Sequence, residues 1–445
     1  MKRFLGLLIA VALLVSCSGC SLNFFSVESL LSPPMQTGKN GEIQAAFNAL
    51  KRDEKIQLKT PLAGAYQTSF VLYDINKDKN DEAFIFYTDS SVDASVRMAL
   101  LQCVDDEWVI CDDIKGAGNG VYDIDFSDLN NDGISEVFVS WSLFESKVKR
   151  ITGVYSPTVS AEGKVSLTSL GSEYCNAKNF VDFNGDSKND LVVVYHDDTG
   201  EIQKTYLRLF SLSPTNELVK YGEIPLDSAI TTVAGIQSDV VGVNGNKFTR
   251  LFIDCQKSEK TIFTEMVYWD SGHSIPVRAF TEPSLTTARN HRARCMDIDA
   301  DGLLEIPVAT RLFGDEKQFS VTYYDEIYTF TLLEWNNVRG DNSTERVKTL
   351  NNPLDMYLLV FPWGSEVSVK YDSVRDALVY YRWSESSQLY GDELFSISHR
   401  ELGQEENKAV LYEDDNSVYY FEITPEGASF GITEELLARS FIKNQ

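Results

Sequence analysis

Short runs of apolar, aromatic and β-branched residues recur along the chain, separated by polar turn residues. Near the start they are Phe70-Val71-Leu72-Tyr73, Ala83-Phe84-Ile85-Phe86-Tyr87, Met98-Ala99-Leu100-Leu101-Gln102-Cys103 and Trp108-Val109-Ile110-Cys111. Runs this short, bounded by Asp, Asn and Gly, mark strands rather than helices. They predict strands near 68–74, 82–88, 96–104 and 107–113, the last two joined by a turn at Asp105-Asp106. Similar pairs follow: Tyr122 to Phe126 with Val137 to Trp141, and Phe180-Val181 with Leu191 to Tyr195. Apolar residues take helical spacing at two places. Ile43, Ala46, Phe47 and Leu50 predict a short amphipathic helix over 42–52, and Leu436, Leu437 and Phe441 predict another over 433–442.

The segment between the two runs of a pair has one repeated design. It reads Asp74-x-Asn76-x-Asp78-x-x-x-Glu82, Asp128-x-Asn130-x-Asp132-Gly133-x-x-Glu136, Asp182-x-Asn184-x-Asp186-x-x-x-Asp190 and Asp297-x-Asp299-x-Asp301-Gly302-x-x-Glu305. The first three copies stand at equal intervals of 54 residues, at 74, 128 and 182. Oxygen side chains at positions 1, 3, 5 and 9 of a turning backbone suit calcium, which takes six to eight oxygens at roughly 2.3–2.6 Å. Magnesium suits such loops less, because it prefers rigid octahedral sites that keep several waters. Gly133 and Gly302 permit a sharp turn, and Gly185 comes earlier in its copy. An EF-hand is excluded, since it needs its last acid at position 12 and a helix on each side. Asp, Asn and Gly also make plain turns. Four copies with oxygens at the same four places nevertheless point to about four structural calcium ions. A fifth copy, Val241 to Leu251, has Gly242, Asn246 and Arg250 at positions 1, 5 and 9, which predicts a metal-free hairpin with Arg250 supplying the positive charge.

A strand-rich repeat of this period predicts a β-propeller, an all-β ring of four-stranded blades that leaves only short, protected edges. Copies begin near 74, 128, 182, 242 and 297. A degenerate sixth lies at Val367 to Tyr381, and a seventh strand set runs through Phe395-Ser396-Ile397, Ala409 to Tyr412 and Val418 to Phe421. Residues 54 to 431 divide into seven such units, with six or eight also open, and an N-terminal strand is expected to complete the last blade. The units resemble the FG-GAP/VCBS repeats of integrin-α-like β-propellers. That resemblance implies calcium in the hairpin loops and names no ligand, because one fold serves many functions.

The N-terminus adds a location. Met1-Lys2-Arg3 precedes an apolar run from Phe4 to Val15, the pattern of an export signal. Leu14-Val15-Ser16-Cys17 resembles a bacterial lipobox, with Cys20 the alternative acylation site and an ordinary cleaved signal the rival reading. The expected organisation is a lipoprotein signal at 1–17, a tether at 18–40 and the propeller domain at 41–445. A diacyl anchor on the outer face of a bacterial cytoplasmic membrane would hold stably, where one chain would not.

The formal net charge of −26 modifies this picture in one respect. The four loops hold three, three, three and four carboxylates at the ligand positions, so four calcium ions would bring the charge to about −18. The remaining excess disfavours nucleic acid as a partner, which demands a basic face. The one basic cluster, Arg289, His291, Arg292 and Arg294, precedes the fourth loop and reads as local charge balance, with an anion site as the alternative. Cys103, Cys111, Cys175, Cys255 and Cys295 show no zinc spacing and read mainly as small buried hydrophobes. His196, His273, His291 and His399 are scattered, and no nucleophile-elbow, P-loop or dinucleotide fingerprint occurs. The expectation is therefore a membrane-anchored binding, adhesion or scaffold module for a protein or glycan. A polysaccharide-active enzyme or a lectin-like propeller is the alternative.

Overall fold

The apolar runs form antiparallel strands, and in the second, third and fourth sheets their order along the chain is also their order in the sheet. The structure is a computed structural model that describes residues 38–443, apart from 52–54, 91–94, 144–149, 198–202, 244–245, 260, 290–292, 311–319, 324–325, 330, 340–341, 352–356, 361, 364–365, 385, 388 and 404–405. The signal at 1–17, with Cys17, and Cys20 and nearly all of the 18–40 tether lie outside the described residues. No described helix is long and apolar enough to cross a membrane.

Six sheets of four or five strands are described. The first holds Phe70–Tyr73, Glu82–Asp89, Val96–Val104 and Glu107–Lys115, against predictions of 68–74, 82–88, 96–104 and 107–113. Asp105 and Asp106 turn its last hairpin with φ of 51° and 63°, as a two-residue hairpin turn of matching twist requires. The second sheet holds Gly120–Ser127, Glu136–Ser142, Arg150–Val159 and Val165–Cys175, and the third Ala177–Val181, Asp190–Asp197, Lys204–Leu212 and Leu218–Pro225. The fourth holds Thr232–Val243, Asn246–Ser258, Thr261–Asp270 and Ile275–Arg278. The fifth contains Ile306–Thr310, Thr331–Arg339, Asn342–Asn351, Tyr357–Val360 and the C-terminal Phe441–Lys443.

The sixth sheet departs from the expected division. Val367–Asp372 and Ala377–Ser384, assigned above to a sixth unit, share one sheet with Leu389–Glu401, Ala409–Glu413 and Ser417–Ile423, assigned to a seventh. The closing strand also differs. Ile56–Lys59 extends the first sheet, pairing with Phe86 to Asp89 while Phe70–Tyr73 pairs with Glu82 to Ile85. Both differences have one cause: hydrogen-bond partners at the chain ends are set by tertiary contacts that a local pattern does not encode.

Successive sheets pack through alternate residues. Phe84, Phe86 and Met98 of the first sheet meet Val137, Val139 and Trp141 of the second. Phe138 and Val154 of the second meet Leu191 and Val193 of the third. The third and fourth share Val192, Leu207, Leu251 and Ile253, and the fourth and fifth share Phe252, Met266, Ile306 and Val338. Glu82–Asp89 is therefore buried along almost its whole length, as a strand covered on both faces should be. The other face of the first sheet takes the helix Lys39–Leu50, whose Ile43 and Phe47 are fully buried against Ile85 and Tyr87. Lys51 ties that helix down by an ion pair of 2.8 Å to Asp113. The short helix Glu434–Ser440 buries Leu437 against the core of the fifth and sixth sheets.

Candidate metal centres

The structure places the first three acidic loops at one equivalent position, between the first and second strands of the first three sheets. The fourth precedes Ile306–Thr310, where a single bridge, Met296 to Glu305, takes the place of the entering strand. All four loops fold around their acids in the same way. The position-1 carboxylate accepts the N–H of position 6: Asp74 from Lys79 at 3.0 Å, Asp128 from Gly133 at 2.8 Å, Asp182 from Ser187 at 2.9 Å, and Asp297 from Gly302 at 2.8 Å. Position 5 accepts from position 7, as Asp78 does from Asn80 at 2.7 Å, Asp132 from Ile134 at 2.8 Å, Asp186 from Lys188 at 2.9 Å and Asp301 from Leu303 at 2.9 Å. The acid at position 9 accepts from position 2, as Glu82 does from Ile75 at 3.1 Å and Glu136 from Leu129 at 3.0 Å. Asp190 and Glu305 do the same with Phe183 and Ile298, at 3.0 and 3.2 Å.

This wrapping needs two left-handed residues per loop. Positions 4 and 6 have φ of 60° and 75° at Lys77 and Lys79, and 62° and 90° at Asn131 and Gly133. They have 80° and 70° at Gly185 and Ser187, and 58° and 85° at Ala300 and Gly302. The glycines mark this requirement in the sequence, whereas the other residues that share it do not. Non-glycine residues meet it at five of the eight places, although left-handed backbone costs an L-residue about 1–2 kcal/mol.

Positions 1, 3 and 5 are half-buried or exposed in every loop, whereas position 9 is buried. Glu82, Glu136 and Asp190 are each 1% exposed and Glu305 is fully buried. Burial pushes Glu82 up to about 7 against the donation from Ile75, with Asp78 and Asp74 adding to the rise. Glu136 is likewise pushed up to about 7 and Asp190 to about 6, again by burial first. Burial also raises Glu305, although Asn337 Nδ2 donates to it at 3.0 Å. Oδ1 of Asp190 and the neighbouring Tyr221 hydroxyl are buried with no well-aligned hydrogen bond, and burial first and the Asp190 charge second push Tyr221 up. A cation beside such a buried carboxylate would favour its ionised form and offset the rise.

The donor set is oxygen throughout, from carboxylates and the amides of Asn76, Asn130 and Asn184. In the fourth loop, oxygens of Asp297, Asp299 and Glu305 lie within 4.8 Å of one another. Such donors fit a hard divalent cation, and they are wrong for a metal that needs nitrogen or sulfur. One loop also carries a cation of its own. Arg346 Nε donates to Asp299 at 2.9 Å and Arg346 Nη2 to Asp301 at 2.8 Å. Arg346 lies on Asn342–Asn351, the third strand of the fifth sheet and 47 residues from Asp299, so no local sequence pattern announces it.

The fifth copy is a hairpin without a nine-residue loop. Its strands run on until Val243 pairs with Asn246. Arg250 is 4% exposed, ion-paired through Nη2 to Asp239, with Nε donating to Asp239 at 2.7 Å. Asp239 lies three residues before Gly242, so the positive charge is satisfied by strand extension rather than within a loop.

The remaining candidates resolve as structure. Arg289 is buried and donates to Asp254 at 2.9 Å; His291 and Arg292 lie outside the described residues. Cys175, Cys255 and Cys295 are buried and their thiols pushed up by burial, in keeping with a mainly buried set, whereas Cys111 is half-buried and Cys103 exposed. His196 bonds Thr205 on the third sheet, His273 bonds Asp270 on the fourth, and burial pushes His399 down on the sixth, so these three do not share a site. Comparison with protein-family models and with the curated proteins gives no match to this chain.

Proposed function

We propose that this chain is a calcium-stabilised β-propeller of the FG-GAP/VCBS type, held on the outer face of a bacterial cytoplasmic membrane by an acylated Cys17, or Cys20, and acting there as a binding or scaffold module. The observation that carries the metal reading is the repeated loop: four copies wrap their backbone identically around acids at positions 1, 5 and 9, and each buries the last one. The propeller reading is supported by the strand order of the first four sheets and by face-to-face packing of successive sheets. Asp74, Asn76, Asp78 and Glu82, and their counterparts in the other three loops, would hold the ions, which supply positive charge to the buried acids.

A ligand bound only by the folded state stabilises it by RT ln(1+[L]/Kd), about 2.7 kcal/mol at a hundredfold excess. Elemental analysis of the purified protein should therefore find about four calcium ions per chain on the ligand count above, and EDTA should lower the melting temperature. Absence of calcium together with melting indifferent to EDTA would sink the metal reading. The anchor is tested separately, by incorporation of labelled fatty acid that Cys17→Ala abolishes, or Cys20→Ala if the second cysteine is used. Partners are sought by crosslinking in native membranes, where co-purified protein supports a scaffold and co-purified glycan a lectin-like role.

A further inference from the structure

Between the third acidic loop and the metal-free hairpin lies a cleft of about 660 Å³, within the range of small-molecule sites. One wall is the loop segment from Asp182 to Ser187; the other is the hairpin at Val240 and Lys247 to Thr249, with Trp269 and Ser271 from the next strand. Thr249 Oγ1 donates to the Asp182 carbonyl at 2.6 Å and ties the two walls together. At the fifth copy the strands run on to the Val243–Asn246 pair, and this hairpin forms the second wall of the cleft.

The lining has a particular chemistry. Phe183 is buried, and packs edge-on against Trp269 at 6.0 Å between ring centres. Trp269 and Phe248 keep part of their surface open to the cleft. Around these rings stand the amide of Asn184 and the hydroxyls of Ser187 and Ser271. The charges balance, one from Lys247 and one from Asp182, and the Asp182 carboxylate is already occupied by the N–H groups of Gly185 and Ser187 at 2.8 and 2.9 Å. An aromatic wall edged with hydroxyl and amide groups matches a sugar ring, which has an apolar C–H face and a polar rim. The weakly positive hydrogens of that face meet the negative π face of an aromatic ring. A polyanion is disfavoured by the net charge of −26 and by a single lysine.

We propose that this cleft binds a neutral oligosaccharide, its ring stacked on Trp269 and Phe248 and its hydroxyls directed at Ser187 and Ser271. The assignment names the ligand class for the binding role proposed above, and so rests on that role. It does not rest on the calcium count, which elemental analysis decides independently.

The test titrates the full-length protein, in detergent and with calcium present, with four neutral tetrasaccharides: cellotetraose, maltotetraose, mannotetraose and chitotetraose. Tryptophan fluorescence and calorimetry should show saturable binding of at least one of them at millimolar concentration or below. Trp269→Ala should weaken it at least tenfold. Ser271→Tyr, an exposed position whose larger side chain would fill the cleft, should abolish it with the melting temperature unchanged. Should the tryptophan variant fail to fold, Ser271→Tyr decides alone. The proposal is overturned if none of the four sugars binds, or if Ser271→Tyr binds as the parent does. Absence of sugar binding by the unsubstituted protein with calcium still bound overturns this inference and leaves the metal reading standing.

Discussion

Arg346 holds Asp301 by a hydrogen-bonded ion pair of 2.8 Å, and with its other nitrogen holds Asp299. The guanidinium thereby engages oxygens at positions 3 and 5 of the fourth loop. Loading that loop requires the arginine to give up at least one of these contacts, so the fourth site should be the weakest of the four. Arg346→Ala should strengthen one of the four calcium-binding steps severalfold and leave the other three in place. Exposed pairs are weak, so the gain should be modest and should shrink at high salt. A calcium titration by calorimetry at two salt concentrations measures this; identical isotherms for parent and variant would refute it.

A second consequence concerns the acid at position 9. Glu136 is buried under Asp128 and Asp132, and its charge is a liability until a cation arrives. Glu136→Gln keeps the side-chain shape and removes the charge. In EDTA the variant should melt at or above the parent temperature. With saturating calcium it should melt below the parent and carry one ion fewer. The two melting orders must invert between the conditions, and a variant that ranks the same way in both would contradict the role given to Glu136.

The same groups set a pH dependence for the metal-free protein. Glu82 and Glu136 have folded values pushed to about 7 by burial, above their unfolded value of 4.5. Between those values the folded state binds more protons than the unfolded state. Stability then falls as pH rises, by at most about 1.4 kcal/mol per pH unit for each group. In EDTA the melting temperature should therefore drop between pH 5 and pH 7. With calcium bound the carboxylates are held ionised, and the drop should vanish. Melting curves at four pH values with and without the chelator check both halves.

These expectations show what the sequence carried and what it did not. Strand limits in the first sheet were legible to within two residues or so, because each acidic loop bounds its strands on both sides. The shared fold of the acidic loops was legible because it is local: nine residues contain the whole pattern. Arg346, Asn337 and the hydroxyl of Tyr221 were not, because each reaches a loop from another strand. The chain ends were misassigned for the same reason. Ile56–Lys59 chooses the open edge of Glu82–Asp89, and Phe441–Lys443 chooses Tyr357–Val360; neither choice leaves a periodic trace.

The fifth copy yields the last prediction. Arg250 and Asp239 form a buried pair, and the same guanidinium donates to the Val338 carbonyl at 2.5 Å on the fifth sheet. Asp239 also accepts the N–H of Leu304, inside the fourth loop, at 2.7 Å. One pair thus joins the fourth sheet to the fifth and to a candidate metal loop. Removing one partner leaves the other charged and buried, which costs about 3–5 kcal/mol, whereas replacing both by apolar residues is often near neutral. Arg250→Met should therefore lower stability by about that amount, and Asp239→Leu with Arg250→Met should recover a large part of it. Recovery should stop short, because Leu304 loses its acceptor in the double variant. Calcium affinity of the fourth loop should stay reduced there even as the melting temperature returns. A double-mutant cycle on denaturant unfolding, read beside calcium titrations of all four proteins, separates the two effects. Additive single costs with no recovery would show that Arg250 and Asp239 do not act as a pair.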